Sequence, residues 1–294
     1  MKDNLYKISN FKDIDPFLMS ITSADNHWMY ISSSGCLSAG RQKAEHALFP
    51  YVTDDLLHKN AHFTGPVTCI SIDVDNTKYS WQPFSNQIDN CKKNHNLYKN
   101  SLGNKIVFEE INHTIGLTFL YSWQASAKYG FVKKTKLLNH SGKKLNIKLI
   151  DGLRNILPAG ISLRTQQEMS NLANAYKVSE CNSDYNYALY YMNALLMDKP
   201  DPGESLFSNI VWSHSSDNIE LSVNEKSIRT FLSNDEFEKD HLLKGKEGSF
   251  LNYIQKPLSS GHEMTWYIIA DVQKSQSDIS AIISDLKDSD HIAK

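Results

Sequence analysis

Between Lys105 and Pro158 the chain runs through four long segments rich in β-branched and aromatic residues: Lys105–Glu110, Ile115–Ala125, Gly130–Leu138 and Leu145–Leu157. Turn-forming residues separate them, at Ile111-Asn112-His113, Ser126-Ala127-Lys128 and Asn139-His140-Ser141-Gly142. Within Leu145–Ile150, Leu145, Ile147 and Leu149 alternate with Asn146, Lys148 and Ile150, the pattern of a strand with one face in a core. Strands this long need a large partner surface, because a lone hairpin is marginal in water. The spacing therefore predicts a ribbon of antiparallel strands, with a second sheet supplied by the rest of the chain.

The flanking sequence continues in the same vein. Asn26–Ser33, Gly65–Val74, Lys78–Phe84, Tyr176–Cys181, Tyr187–Met197, Leu206–His214, Ile219–Val223, Ser227–Leu232, Ser249–Leu258 and Glu263–Val272 all read as strands. Asp75-Asn76, Asp198–Gly203 and Ser259-Ser260-Gly261 read as turns. Helical spacing is confined to Thr53–Lys59, Ser162–Ala175 and Ser277–Leu286. A long polar excursion from Ser34 to His46 and a polar loop or edge over Ser85–Asn104 complete the reading. Strands and helices do not alternate and no fixed period recurs, which leaves an all-β fold: a large two-sheet antiparallel super-sandwich. Residues 1–275 form the sandwich in this reading, and 276–294 begin a helical linker.

Composition limits the function classes. A formal net charge of −2 over 294 residues sets up no field to attract nucleic acid or an anionic membrane. Hydrophobic residues at 40% and charged residues at 22% suit a soluble domain with a substantial core. No signal-like or membrane-length apolar run occurs, and Cys36, Cys69, Cys91 and Cys181 lack C-x-x-C spacing. Free thiols in a reducing compartment, and hence a cytoplasmic protein, are expected. The sequons at Asn112 and Asn139 carry no weight without secretion.

The chemical motifs are mostly negative. His58 and His62 stand four residues apart, but Lys59 occupies the position where a metalloprotease places Glu. The run from Asp73 begins like a calcium loop, then puts Lys78 where Gly is required and Phe84 where a bidentate Glu belongs. Neither a metal nor a cofactor is expected. Glu109, Glu110, Asp151, Glu168 and Asp201 are available for sugar hydrolysis, which uses two carboxylates. Adjacent Glu109 and Glu110 fall on opposite faces of a strand, and Asp151 before Gly152 reads equally well as a turn residue.

The runs Ala24-Asp25-Asn26-His27-Trp28-Met29-Tyr30 and Asp151-Gly152-Leu153-Arg154-Asn155-Ile156-Leu157-Pro158, with the all-β layout, resemble the N-terminal domain of cellobiose-phosphorylase-type glycoside phosphorylases. The resemblance implies a galactose-mutarotase-like super-sandwich preceding a helical linker and an α/α barrel that holds the catalytic acid and the phosphate site. It covers Ala24 to Val272, without the barrel. The chain would then be a noncatalytic domain of a glycoside phosphorylase or hydrolase, helping to shape a sugar site and an oligomer such as a homodimer. Carbohydrate, and inorganic phosphate in the full-length enzyme, would be its partners. By the same resemblance the sandwich lends a loop to the active-site rim. The best candidates are Asn26, His27, Trp28, Ser38, Arg41 and His46, which gather donors, a cation and an aromatic ring in a short span. A stand-alone aldose-epimerase-like enzyme working through a His and a carboxylate, or a sugar-binding module, are the alternatives.

Overall fold

The computed structural model describes residues 5–74, 77–86, 90–194 and 206–287. Its strands form three antiparallel sheets. The large sheet has ten, in the order Leu5–Ser9, Lys93–Asn100, Lys105–Asn112, Leu117–Ser126, Gly130–Asn139, Glu263–Ser275, Phe207–Ser215, Tyr187–Met192, Lys177–Asn182 and Leu242–Lys244. A middle sheet of five runs Glu220–Ser222, Gly248–Leu258, Leu145–Ile156, Gly65–Val74 and Thr77–Trp81. A small sheet of four comprises Leu18–Ser20, His27–Ser32, Leu37–Arg41 and Ala47–Phe49. The sandwich expected from the strand pattern is present, with the small sheet as an addition to it.

One core unites all three sheets. Phe108, Phe119, Trp123, Phe131 and Trp266 come from the large sheet, Ile70, Leu149 and Phe250 from the middle one, and Ile31, Leu37 and Phe49 from the small one. Alternation along each strand produces this arrangement. In Leu145–Ile156, Leu145, Ile147, Leu149 and Leu153 join that core, while Ile150 turns to the opposite face.

Several expectations need correction. The fourth segment of the predicted ribbon leaves the large sheet: after Asn139 the chain crosses to the middle sheet, and Glu263–Ser275 pairs with Gly130–Asn139 instead. Asn139 fixes the crossing, its buried amide donating to the carbonyls of Lys143 and Leu258. Ser227–Leu232 is helical, within Lys226–Asn234; Ile228 and Phe231, three residues apart, seal the outer face of the middle sheet against Cys69, Ile150 and Leu251. The helix predicted over Ser162–Ala175 is two short ones, Leu163–Glu168 and Ser170–Asn174, broken where Met169 leaves helical geometry at φ −134°. Lys93–Asn100, expected as a solvated loop or edge, is a strand of the large sheet paired on both sides. Asp151 lies in mid-strand and fully buried, not in a turn.

The helix Gln276–Lys287 lays Ile279, Ile282 and Leu286 on the outer face of the large sheet, against Trp212 and Ile269. Among the described residues no helix is long and apolar enough to cross a membrane. The turns at Asp75-Asn76 and Asp198–Gly203, and Asp201, lie outside the described residues.

Candidate functional site

The six residues singled out in the sequence sit on or beside one hairpin of the small sheet, His27–Ser32 paired with Leu37–Arg41. The excursion predicted from Ser34 to His46 therefore has a strand at its centre, Leu37–Arg41, with turns and bends on either side. The two-residue strand period divides the six into two groups.

On the core side, His27 lies opposite Arg41 in the register. The Arg41 guanidinium crosses to the large sheet, where Nη1 donates to both carboxylate oxygens of Asp271 at 3.0 Å. Its Nε donates to Asn26 Oδ1 at 2.7 Å. Lys274 Nζ approaches Asp271 from the other side at 2.6 Å, so a carboxylate only 1% exposed is held by two cations. The His27 ring meets Phe131 edge-on at 5.1 Å, with Nδ1 3.2 Å from Ser23 Oγ. Its Nε2 is buried without a hydrogen-bond partner among the described residues. Burial, then the Arg41 charge, hold this imidazole below its ordinary pKa and keep it neutral.

On the other side lie aromatic rings. Trp28 pairs with Gly40, and a Cβ on Gly40 would stand 2.4 Å from Trp28 Cζ2, so the indole lies flat across the glycine. Tyr30 pairs with Ser38, which is fully buried. The Trp28 ring meets Tyr51 at 5.7 Å, nearly perpendicular, and Tyr30 at 6.2 Å. Tyr30 and Tyr51 are 38% and 44% exposed, which makes a platform of rings open to solvent. The inner edge of Trp28 packs on Ala47, Leu157, Ile161, Ala173 and Met192. His46 acts through its backbone, its carbonyl accepting from the Arg41 N–H. Tyr30 closes the run Ala24–Tyr30 but is not among the six, and the hairpin register places it beside Trp28; Tyr51 has no motif and is found by its ring contact with Trp28.

Two His–carboxylate relationships bear on catalysis. Glu109 and His214 share the outer face of the large sheet but stand four strands apart, about 19 Å at normal strand spacing, too far to act on one bond. His95 Nε2 lies 3.1 Å from Glu110 Oε2 on the inner face. Glu110 also accepts from Trp81 Nε1 at 2.7 Å and from the Phe84 N–H. Burial works to raise its pKa, but the bonds from His95, Phe84 and Trp81 outweigh it and hold the carboxyl below its usual range. Among the described residues no group of three or more His, Cys, Asp or Glu is placed to hold a metal.

No family model matches the chain, and no curated protein matches its sequence. Solved structures align with it at low identity. A polysaccharide lyase aligns over 92% of this chain and 34% of its own, at 8% identity and a TM-score of 0.46. An aldose 1-epimerase candidate from Escherichia coli K12 aligns over 88% of this chain and 99% of its own, at 8% identity and a TM-score of 0.47. An aldose epimerase homologue from C. elegans aligns over 89% of this chain and 100% of its own, at 8% identity and a TM-score of 0.44. The chain thus spans about a third of the lyase and nearly the whole of either epimerase-like protein.

Proposed function

We propose that this chain is a noncatalytic β-sandwich domain of a carbohydrate-active enzyme, and that its hairpin 27–41 forms part of a sugar-site rim. The observation that carries the reading is the platform of Trp28 and Tyr30, paired with Gly40 and Ser38, with Tyr51 beside Trp28. Trp28 and Tyr30, tilted 34° to each other, offer an apolar surface for the C–H face of a sugar ring, with Tyr51 standing nearly perpendicular at its edge. Asn26 and Arg41 brace the hairpin from the core side through Asp271, His27 packs there on Phe131, and His46 holds the returning chain. A noncatalytic role is supported by the wide separation of Glu109 and His214 and by the fully engaged Glu110.

In its finer form the proposal makes the whole enzyme a cytoplasmic glycoside phosphorylase or hydrolase. Its other domain takes inorganic phosphate, Gln276–Lys287 begins the linker, and the sandwich contributes to a homodimer. The test is affinity electrophoresis against neutral glucans and other soluble polysaccharides, with Tyr30→Ala and Tyr51→Ala beside the parent chain. Retarded migration that both substitutions abolish, at unchanged melting temperature, is the expected result. Binding to no polysaccharide, or binding indifferent to both substitutions, overturns it.

A stand-alone aldose-epimerase-like enzyme is favoured by one observation, the 3.1 Å contact of His95 with Glu110. Anomerisation of glucose above the buffer rate, lost in a folded Glu110→Gln variant, would establish that reading in place of the first.

A further inference from the structure

A cleft of about 410 Å³ opens where the small and middle sheets meet the inner face of the large one. Its chemistry differs from that of the aromatic platform, although its Ser34-Gly35 wall is the turn of the same hairpin. Its walls come from Lys12, the turn at Ser34-Gly35, the short turn of helix ending at His62, the strand start Pro66–Thr68, the segment 82–86, and Arg154. Tyr121 and Thr68 reach it from the strands that flank the core. Among the described residues, no aspartate or glutamate lines the cleft.

The two cations are held chiefly by carbonyl groups, with the buried Glu110 carboxylate acting on Lys12 from outside the lining. Lys12 Nζ donates to the carbonyls of Phe84 at 2.6 Å and Ser85 at 3.1 Å. Arg154 donates to the carbonyls of His62 and Ala61, and its buried Nε has no hydrogen-bond partner among the described residues. The nearest carboxylate to Arg154 is Glu225 at 3.7 Å, itself half exposed. Hydroxyl groups complete the lining. Burial, reinforced by the Asp151 carboxylate, drives the Tyr121 phenol far above its ordinary pKa, so it stays a neutral hydroxyl. Gly35 admits that hydroxyl closely: a Cβ there would stand 3.1 Å from it, at a backbone φ of +91°. A concave, positively charged space with hydroxyl and amide groups and no acidic wall suits a compact, hydroxylated anion.

We propose that this cleft binds a small polyhydroxylated molecule carrying one anionic group, a sugar carboxylate or a sugar phosphate, with the anion between Arg154 and Lys12. The volume fits a monosaccharide. The proposal does not rest on the aromatic platform, and the two fail separately, because the platform is probed with neutral polysaccharides and Tyr30 or Tyr51 variants.

The experiment is isothermal titration of the chain with glucuronate, glucose 6-phosphate and glucose. One of the charged sugars should bind about tenfold or more tighter than glucose, the gain of a charge-assisted hydrogen bond. Glucuronate ahead assigns a carboxylate ligand and glucose 6-phosphate ahead a phosphate ester. Lys12→Gln and Arg154→Gln should each remove the preference. Lys12→Gln is the safer variant, since Arg154 also ties down the turn at Ala61-His62. Equal affinity for glucose and both charged sugars, no binding of any, or a preference that survives Lys12→Gln in a folded protein overturns the proposal.

Discussion

Lys133 and Asp151 face one another across the gap between the large and middle sheets, the ammonium 2.6 and 2.7 Å from the two carboxylate oxygens, and neither side chain is exposed. Three further donors reach the same carboxylate: Thr68 Oγ1 at 2.7 Å, Trp266 Nε1 at 2.7 Å and Thr135 Oγ1 at 3.3 Å. Removing two charges from water is costly, and burial pulls the Lys133 ammonium below its ordinary pKa while Asp151 pulls it back. A carboxylate saturated from both sheets fixes how they stack, because sliding one layer would strand the three large-sheet donors, Lys133, Thr135 and Trp266, at once.

The first prediction follows from that pair. Asp151→Leu leaves a buried ammonium and three neutral donors without their acceptor, and should lower stability by about 3–5 kcal/mol. Adding Lys133→Met should recover part of the loss but not all, since Thr68, Thr135 and Trp266 remain unpaired. Urea denaturation of both variants checks this. A double variant no more stable than the single one would show that the ammonium is not the costly orphan.

The second concerns register. Leu149 is fully buried, paired with Ile70 on one side and Ile254 on the other. Leu149→Asp places an unpaired carboxylate in the core, a burden comparable to the whole stability of a domain. No cooperative thermal transition should survive in circular dichroism.

The strand pattern was legible because alternation is local: Leu145, Ile147 and Leu149 announce a core face within six residues. Partners distant in sequence were not. Arg41 and Asp271 lie 230 residues apart, and nothing near Arg41 distinguishes a brace from a solvated charge. The Ser38 and Gly40 segment looked like loop because it is small and polar, yet it is buried strand beneath Tyr30 and Trp28. Ser227–Leu232 misled for the opposite reason. Its β-branched residues suited a strand, while Ile228 and Phe231 needed only a helical stripe to cover the middle sheet. Asp151 read as a turn residue because a lone carboxylate before glycine usually is one; the four donors that bury it come from other segments.

The third prediction separates bracing from binding in the hairpin. Arg41→Ala removes both bonds to Asp271 while Lys274 remains, so the carboxylate keeps one cation. A stability loss of about 2–3 kcal/mol is expected, the scale of charged hydrogen bonds at a largely buried site. Polysaccharide retardation measured well below the melting temperature should persist. Retardation lost at unchanged stability would instead place the Arg41 guanidinium on the sugar.

The last prediction is a pH dependence centred on His27. The groups facing its ring are Phe131, Ser23, Arg41, Asp271, Asp25 and Lys274. Burial and Arg41 lower its folded pKa below the ordinary 6.5, against the opposing pull of Asp271 and Asp25. As pH falls through 6.5, the unfolded chain takes up a proton that the folded chain refuses, so stability must fall with it. The decline ends once the pH drops below the folded value. His46 and His214 are shifted in the same direction by burial and add to the slope. Glu110 enters only below its ordinary 4.5, because its lowered pKa loses stability at more acidic pH. Between pH 7 and 5.5 the histidines should therefore dominate. The urea midpoint should drop across that interval, and His27→Gln should flatten the drop without abolishing it. A midpoint that rises on acidification would mean that the His27 imidazolium is stabilised by Asp271, the reverse of the arrangement described.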